Sequence, residues 1–262
     1  MTVPRFFIPV AAIDAKKATI AHEDERLTRQ INNVLRLKAG DRIDLLDGLG
    51  SLYHCRIESA GKRQLKARIE QSLKIEEPDE IPIHVGLPLL KGGRFEWALE
   101  KLTELGVAKI SPILVTRSVV KADLSGEGKD RSEDNKLERW LTILKEAAEQ
   151  CERATIPRLV PPRRFALFLQ ECSLVENSLN LICAERRQAG NITKKLDNND
   201  RVTSPDEVAI AVGAEGGFTG GEVEEAIAFG FTPISLGHRI LRSETAAIYA
   251  LAIVASKYAA RK

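Results

Sequence analysis

Two stretches of the 262-residue chain combine residue types that could hold a ligand and act on it. The first is Gly213-Ala214-Glu215-Gly216-Gly217-Phe218-Thr219-Gly220-Gly221-Glu222. The second is Ser235-Leu236-Gly237-His238-Arg239-Ile240-Leu241-Arg242-Ser243-Glu244-Thr245-Ala246. Glycines let a backbone approach a ligand without a Cβ in the way. The ligand is not expected to be a phosphate. The first stretch has no lysine to complete a G-x-x-x-x-G-K frame, and Glu215 stands where a G-x-G-x-x-G fingerprint needs glycine. A carboxylate there repels a pyrophosphate and suits a ligand that is cationic or rich in hydroxyl and amino donors. A lone glycine loop more often serves chain geometry, so the pairing of the two stretches carries the reading.

Both stretches need elements to position them. Val208 to Val212 is an uninterrupted apolar run, as expected of a parallel strand buried on both faces. Thr219 and Glu222 make a Thr-x-x-Glu capping box, so a helix starts there and ends at Gly230. Strand, glycine loop, helix places the loop beyond the carboxyl end of a strand, where open α/β sheets bind ligands. Upstream, Ile83 to Leu90 reads as a strand, followed by a helix with Phe95, Ala98, Leu99, Leu102 and Leu105 on one face and Gly106 as its cap, then a strand from Lys109 to Val115. This alternation predicts an α/β domain with a mainly parallel sheet.

Residues 121–136 are polar and charged and read as an exposed loop. The next helix carries Leu137, Trp140, Leu141, Leu144, Ala148 and Cys151 on one stripe and stops before Pro157. A helix over Arg163 to Cys172 and a strand over Leu179 to Ala184 follow, then residues 185–206, too polar to add much core. The final helix, after Ser243, presents Ile248, Leu251, Ala255 and Tyr258 on one face.

Residues 1–75 form a separate unit, with the second domain running over 82–262 and the boundary in the polar, proline-bearing stretch Glu76 to Pro82. Residues 1–74 hold 14 Lys plus Arg against 9 Asp plus Glu, a balance of +5 in a chain whose net charge is +2. Such an excess fits either an RNA-binding accessory domain or an ordinary solvated surface. Strands over Asp41 to Asp47 and Leu52 to Ile57, and the alternation of Leu65, Ala67 and Ile69 with Lys66 and Arg68, predict a small barrel with a basic face. Arg5, Phe6 and Phe7 join a cation to aromatics, which can stack on bases or fill a core. No signal peptide or membrane span is expected. The four cysteines, Cys55, Cys151, Cys172 and Cys183, show no Cys-x-x-Cys spacing and no zinc-like pairing with the four histidines, so reduced thiols, a cytoplasmic setting and no metal are expected.

The chain resembles a known family through an ordered series of motifs. Lys91-Gly92-Gly93-Arg94-Phe95-Glu96-Trp97, Lys101-Leu102-Thr103-Glu104-Leu105-Gly106-Val107, Thr116-Arg117-Ser118, and Glu146-Ala147-Ala148-Glu149-Gln150-Cys151 with Arg153 and Pro157 resemble successive motifs of the ribosomal RNA small-subunit methyltransferase E family. Val212 to Phe218 resembles its glycine loop, Leu236 to Ala246 its C-terminal signature, and Arg5-Phe6-Phe7 and Val34-Leu35-Arg36-Leu37 its N-terminal domain. Ala214 stands where the family usually has proline, which frees that φ angle.

The resemblance implies an S-adenosylmethionine-dependent enzyme that methylates N3 of a uridine in small-subunit (16S) ribosomal RNA, within an assembled particle and as a homodimer. It also implies a SPOUT-type parallel-sheet domain with a trefoil knot and an N-terminal PUA-like barrel. Carried onto this sequence, Gly213, Glu215, Gly216, Gly217, Leu236, Gly237, Ile240 and Leu241 supply the cofactor slot, and Arg5, Phe6 and Arg36 contact RNA. Uracil N3 must lose its proton, and the resulting charge must be stabilised. Arg242 is the expected stabiliser, with Glu244 or a water as proton acceptor. Glu244 also suits a helix's first turn and Ser243 its N-cap. Glu215 either touches the cofactor or braces the loop. Glu149, Gln150 and Arg153 are implied to lie near the site, though Arg153 can simply pair with Glu149. Other readings are a SPOUT enzyme acting on ribose 2′-OH and a non-catalytic ribosome-assembly factor.

Overall fold

The computed structural model describes residues 3–75, 81–118, 131–184, 190–199 and 205–258, with the side chains of 131–134 and 198–199 outside the description. The chain divides into two compact units. One comprises Met1–Glu77 with Ala148–Ile156, the other Pro78–Ala147 with Pro157–Lys262.

The first unit is a six-stranded sheet. Its strands are β1 (Arg5–Phe7), β2 (Ile13–Asp14), β3 (Thr19–Glu23), β4 (Arg42–Leu46), β5 (Ser51–Ala60) and β6 (Gln64–Lys74), in the order β1-β4-β5-β6-β3-β2. Only β1 with β4 is parallel. Alternation along β6 buries Leu65 and Ala67 and exposes Lys66 and Arg68, the basic face that period-2 patterning requires. The turn between β4 and β5 is closed by Asp47 Oδ1, which accepts from the amides of Leu49 at 2.8 Å and Ser51 at 2.9 Å. Helix α1 (Glu25–Arg29) is capped by Asp24, whose Oδ1 accepts from Arg26 N at 2.8 Å and Leu27 N at 2.9 Å.

Phe6 lies in the core of this sheet with Ile20, Ile43, Leu45 and Leu65, at 3% exposure. This corrects the expectation that its ring stacks on RNA bases: both of its faces are already covered. Phe7 packs with Leu46, Leu52, Ala148 and Ala154 in a second cluster, and its amide donates to Glu149 Oε1 at 2.8 Å. Glu149 therefore serves the first unit.

The second unit is an all-parallel sheet of β7 (Ile83–Pro88), β8 (Lys109–Leu114), β9 (Arg158–Leu159), β10 (Arg163–Arg164), β11 (Ser178–Cys183), β12 (Gly190–Asn191), β13 (Glu207–Ala211) and β14 (Thr232–Ser235). The order is β10-β8-β7-β13-β11-β14-β12, with β9 beside β8. Its helices are α2 (Arg94–Glu104), α3 (Arg131–Gln150), α4 (Phe165–Ser173), α5 (Ile192–Asn199), α6 (Gly220–Ala228) and α7 (Ser243–Tyr258). On one face α4 and α6 bury Phe165, Phe168, Leu169, Val223 and Ala226 against Ile182, Ala209 and Ala211. Helix α7 packs on β7 and β13 and also meets α2. Covered on both faces, the central strands are continuously apolar, as in Val208 to Val212.

Four local expectations are corrected. Helix α3 begins at Arg131, inside the stretch 121–136 read as a loop, of which 121–130 lies outside the described residues. Leu141 is 43% exposed, because it points off the stripe that buries Trp140, Leu144 and Ala148. Within 185–206, Ile192 and Leu196 on α5 are buried, so two apolar residues one helical turn apart suffice to dock that helix. Helix α7 buries Ala247, Ala250, Leu251, Val254 and Tyr258, with Ile248 and Ala255 only half-buried. Its alanines let it lie close to the sheet.

At the amino-terminal edge of this sheet His84 on β7, Cys172 on α4 and Glu207 on β13 converge. His84 Nε2 lies 2.8 Å from Ser111 Oγ on β8, and its Nδ1 lies 3.6 Å from Cys172 Sγ and 3.9 Å from Glu207 Oε1. Burial, with the Lys109 charge second, pushes the His84 imidazole down to about 3, so the ring is neutral, and burial raises the Cys172 thiol well above its ordinary value.

Candidate active site

The two glycine-bearing stretches occupy the opposite, carboxyl-terminal edge of the same sheet. Residues 212–219 leave β13 and residues 236–242 leave β14, and both strands pair with β11 between them. The stretches are thus two strand spacings apart, roughly 10 Å, which is the width of a crevice at a sheet edge. Topology alone brings these expected site residues to one place.

The first loop turns back on itself. A Cβ on Gly213 would stand 3.0 Å from Phe218 N and 3.1 Å from Gly217 C, so any larger residue would force the loop open by a few tenths of an ångström. Phe218 then stacks on Phe165, ring centroids 5.0 Å apart. Thr219 caps α6, and both halves of the capping box form: Glu222 N donates to Thr219 Oγ1, and Thr219 N donates to Glu222 Oε2 at 2.7 Å.

Three side chains tie this loop to its neighbours. Glu222 Oε1 accepts from Thr116 N at 2.7 Å, reaching the loop after β8. Arg117 Nη1 donates to Gly216 O at 2.5 Å, with Phe218 O 3.4 Å away. Arg94, the first residue of α2, forms an ion pair with Glu215. The Glu215 carboxylate is therefore engaged as a brace. Burial opposes ionisation of Glu222, but the hydrogen bonds from Thr219 and Thr116 outweigh it and hold its carboxyl below the ordinary range.

The second loop is shaped by Ser235, whose Oγ accepts from Gly237 N at 3.4 Å and donates to Gly237 O at 3.2 Å, with Gly237 at φ +115°. Leu236 and Leu241 are half-buried and Arg242 is exposed, while Ile240 stands 93% exposed and walls no slot within this chain. Behind Arg242, Ser243 and Glu244 are buried at the start of α7. Ser243 Oγ and Glu244 Oε2 have no hydrogen-bond partner among the described residues. Leaving a buried polar atom without a partner is costly, and Asn180 Oδ1 on β11 is a third such atom among the described residues.

The three side-chain ties escaped sequence reasoning. Arg94 and Arg117 stand within the family-like stretches Lys91 to Trp97 and Thr116 to Ser118, but nothing in the spacing tells which backbone or carboxylate each holds. Of the expected RNA contacts, Arg5 lies 3.3 Å from Glu152 and 3.6 Å from Asp44, and Arg36 is exposed with φ +56°. Among the described residues no helix is long and apolar enough to cross a membrane.

A family profile described as an RNA methyltransferase domain matches residues 77–255, and one described as an RNA methyltransferase PUA domain matches residues 31–70. The ribosomal RNA small subunit methyltransferase E of Synechocystis is 34% identical, the match covering 85% of this chain and 68% of the relative. That of Bacillus subtilis is 32% identical over 95% of both chains. The crystal structure of the Neisseria gonorrhoeae enzyme of that name, bound to S-adenosyl methionine, superposes with a TM-score of 0.80 at 27% identity, over 96% of each chain.

Proposed function

The chain belongs to the ribosomal RNA small-subunit methyltransferase E family, and from that membership we propose that it methylates N3 of a uridine in 16S ribosomal RNA with S-adenosylmethionine as methyl donor. The observation that carries this reading is the juxtaposition, at the carboxyl edge of one parallel sheet, of a braced glycine loop with a loop that ends in exposed Arg242, followed by buried Ser243 and Glu244 whose Oγ and Oε2 have no partner among the described residues.

The residues present fit the cofactor. Gly213, Gly216 and Gly217 supply backbone groups to the crevice, Leu236, Gly237 and Leu241 supply an apolar wall, and among the described residues Ser243 Oγ has no hydrogen-bond partner. When bound, S-adenosylmethionine supplies an electrophilic methyl group on a positive sulfonium. The chain's own task is to prepare the acceptor. Arg242, exposed at the crevice, meets the negative charge that develops on the uracil oxygens as the N3 proton leaves. Glu244 Oε2 takes that proton, directly or through a water, since a buried carboxylate oxygen without a donor is the available base beside Arg242. Arg5 and Arg36 carry RNA contacts on the first unit. The reading includes the homodimer, the trefoil knot, an assembled particle as substrate and a cytoplasmic setting.

Nucleoside mass spectrometry of 16S ribosomal RNA from cells lacking the gene tests the assignment. Loss of 3-methyluridine, restored by the wild-type gene, supports it. Loss of a ribose-methylated nucleoside instead would transfer the protein to 2′-OH chemistry, and an unchanged profile would leave only a role in assembly.

A further inference from the structure

We propose that His84, Cys172 and Glu207 form a binding site for one zinc ion at the amino-terminal edge of the parallel sheet. The site is independent of the methyltransfer reading, because it lies at the other end of the strands from both glycine-bearing loops.

The geometry is that of a chelate. The three donor atoms come from β7, α4 and β13, and all lie within 4.8 Å of one another. A tetrahedral zinc with bonds of about 2.0–2.1 Å to nitrogen and about 2.3 Å to sulfur sets those two atoms about 3.6 Å apart. His84 Nδ1 and Cys172 Sγ are 3.6 Å apart. Glu207 Oε1, at 3.9 Å from the same nitrogen, needs a shift of about half an ångström to reach the corresponding distance. Ser111 Oγ holds Nε2 at 2.8 Å and so aims Nδ1 at the other two donors, the orienting role that outer partners of metal-bound histidines play. Imidazole, thiolate and carboxylate together are a zinc donor set.

Charge is compatible with a divalent ion. The thiolate and the carboxylate contribute two negative charges. The nearby cations Lys109 and Arg163 both pair with Glu171, whose single charge offsets one of the two. Binding forms the Cys172 S–Zn bond and breaks its S–H bond, with the proton leaving to solvent. The ion would tie α4 to the hydrogen-bonded pair of β7 and β13, so its effect is on stability.

The test uses the full-length chain without a histidine tag. Metal content is read by inductively coupled plasma mass spectrometry, the melting temperature is read with and without zinc after chelator dialysis, and cobalt is substituted to reveal a thiolate-to-metal absorption band. One equivalent of zinc, a rise in melting temperature on zinc addition and the cobalt–thiolate band are expected. Cys172→Ser should lose all three, Cys183→Ser should keep them, and Ser111→Ala should weaken zinc about 10–100-fold. Should Cys172→Ser fail to fold, Glu207→Gln, which retains the core, must show the weakened zinc affinity. A wild-type protein with no stoichiometric metal and no thermal response, or variants that keep the metal, would overturn the site and leave a hydrogen bond from the Cys172 thiol to His84.

Discussion

Arg117 lies across Gly216, its Nη1 donating to the Gly216 carbonyl at 2.5 Å while its Cδ sits 3.1 Å from where a Cβ on that residue would stand. A side chain at 216 must push the guanidinium stem away and lengthen that hydrogen bond. Gly216→Ala is expected to weaken S-adenosylmethionine binding about five- to tenfold, the scale of one lost hydrogen bond of about 1 kcal/mol with some loosening of the loop. Titration calorimetry reads this directly. Affinity equal to wild type in both Gly216→Ala and Arg117→Ala would show that the loop does not need the clamp.

Arg242 is exposed, so its removal should leave the fold intact. Arg242→Ala is expected to reduce methylation of small subunits on the order of 100-fold or more, the usual loss when one stabiliser of a developing anion is removed. Cofactor affinity should stay at the wild-type level. Filter-binding of radiolabelled methyl groups onto isolated subunits measures the first, and full turnover in the variant would remove the arginine from the chemistry.

Glu222 links the start of α6 to Thr116, and its carboxyl is held below the ordinary range. A carboxyl whose folded pKa is depressed stabilises the fold fully above its ordinary value and loses that contribution as pH falls through the folded one. Glu222→Gln should therefore cost about 1 kcal/mol at neutral pH, lowering the melting temperature by roughly 2–4 °C. The gap between variant and wild type should close as pH falls below 4.5. A gap that stayed constant from neutral pH to pH 3 would rule out ionised Glu222 as its source.

Gly86 on β7 faces the ring of Phe168, and a Cβ there would stand 2.8 Å from Cζ and 3.0 Å from both Cε atoms. Phe168 is fully buried and also meets the edge of the His84 ring, so it has little room to move. Gly86→Ala should cost about 1–3 kcal/mol through overpacking, a fall of roughly 2–12 °C in melting temperature. Scanning calorimetry decides it, and an unchanged transition would mean that the α4 packing yields more readily than the distances imply.

What was legible in the sequence was local. The run Val208 to Val212, the glycines and the Thr219 to Glu222 spacing each act within a few residues, and together they announce a strand, a turn and a capped helix. The partners of that loop were hidden, because they return from far away: Thr116 reaches Glu222 across 106 residues and Arg117 reaches Gly216 across 99. His84 and Cys172, 88 residues apart, likewise show no metal-like spacing in the chain, though β7 and α4 bring their donor atoms together. Phe6 illustrates a different limit. Arg5-Phe6-Phe7 alternates in a way that fits a core or a binding face equally well, and only the pairing of β1 with β4 decides between them. Leu141 and Ile248 were misplaced by about one position around their helices, since a stripe four residues wide leaves its margins undecided.

The strand order has a consequence for the chain's birth. Central strand β7 takes β13 as one neighbour, pairing Gly86 with Ala211. Those two residues are 125 positions apart (211 − 86), so at roughly 5–20 residues per second translation spends roughly 6–25 s before the second partner of β7 exists. During that interval an apolar strand waits with one edge open, shielded only by β8 and whatever binds nascent chains. The last strand to join the path, β14, arrives only at residues 232–235, so both walls of the crevice exist only after every other strand of this sheet has been made.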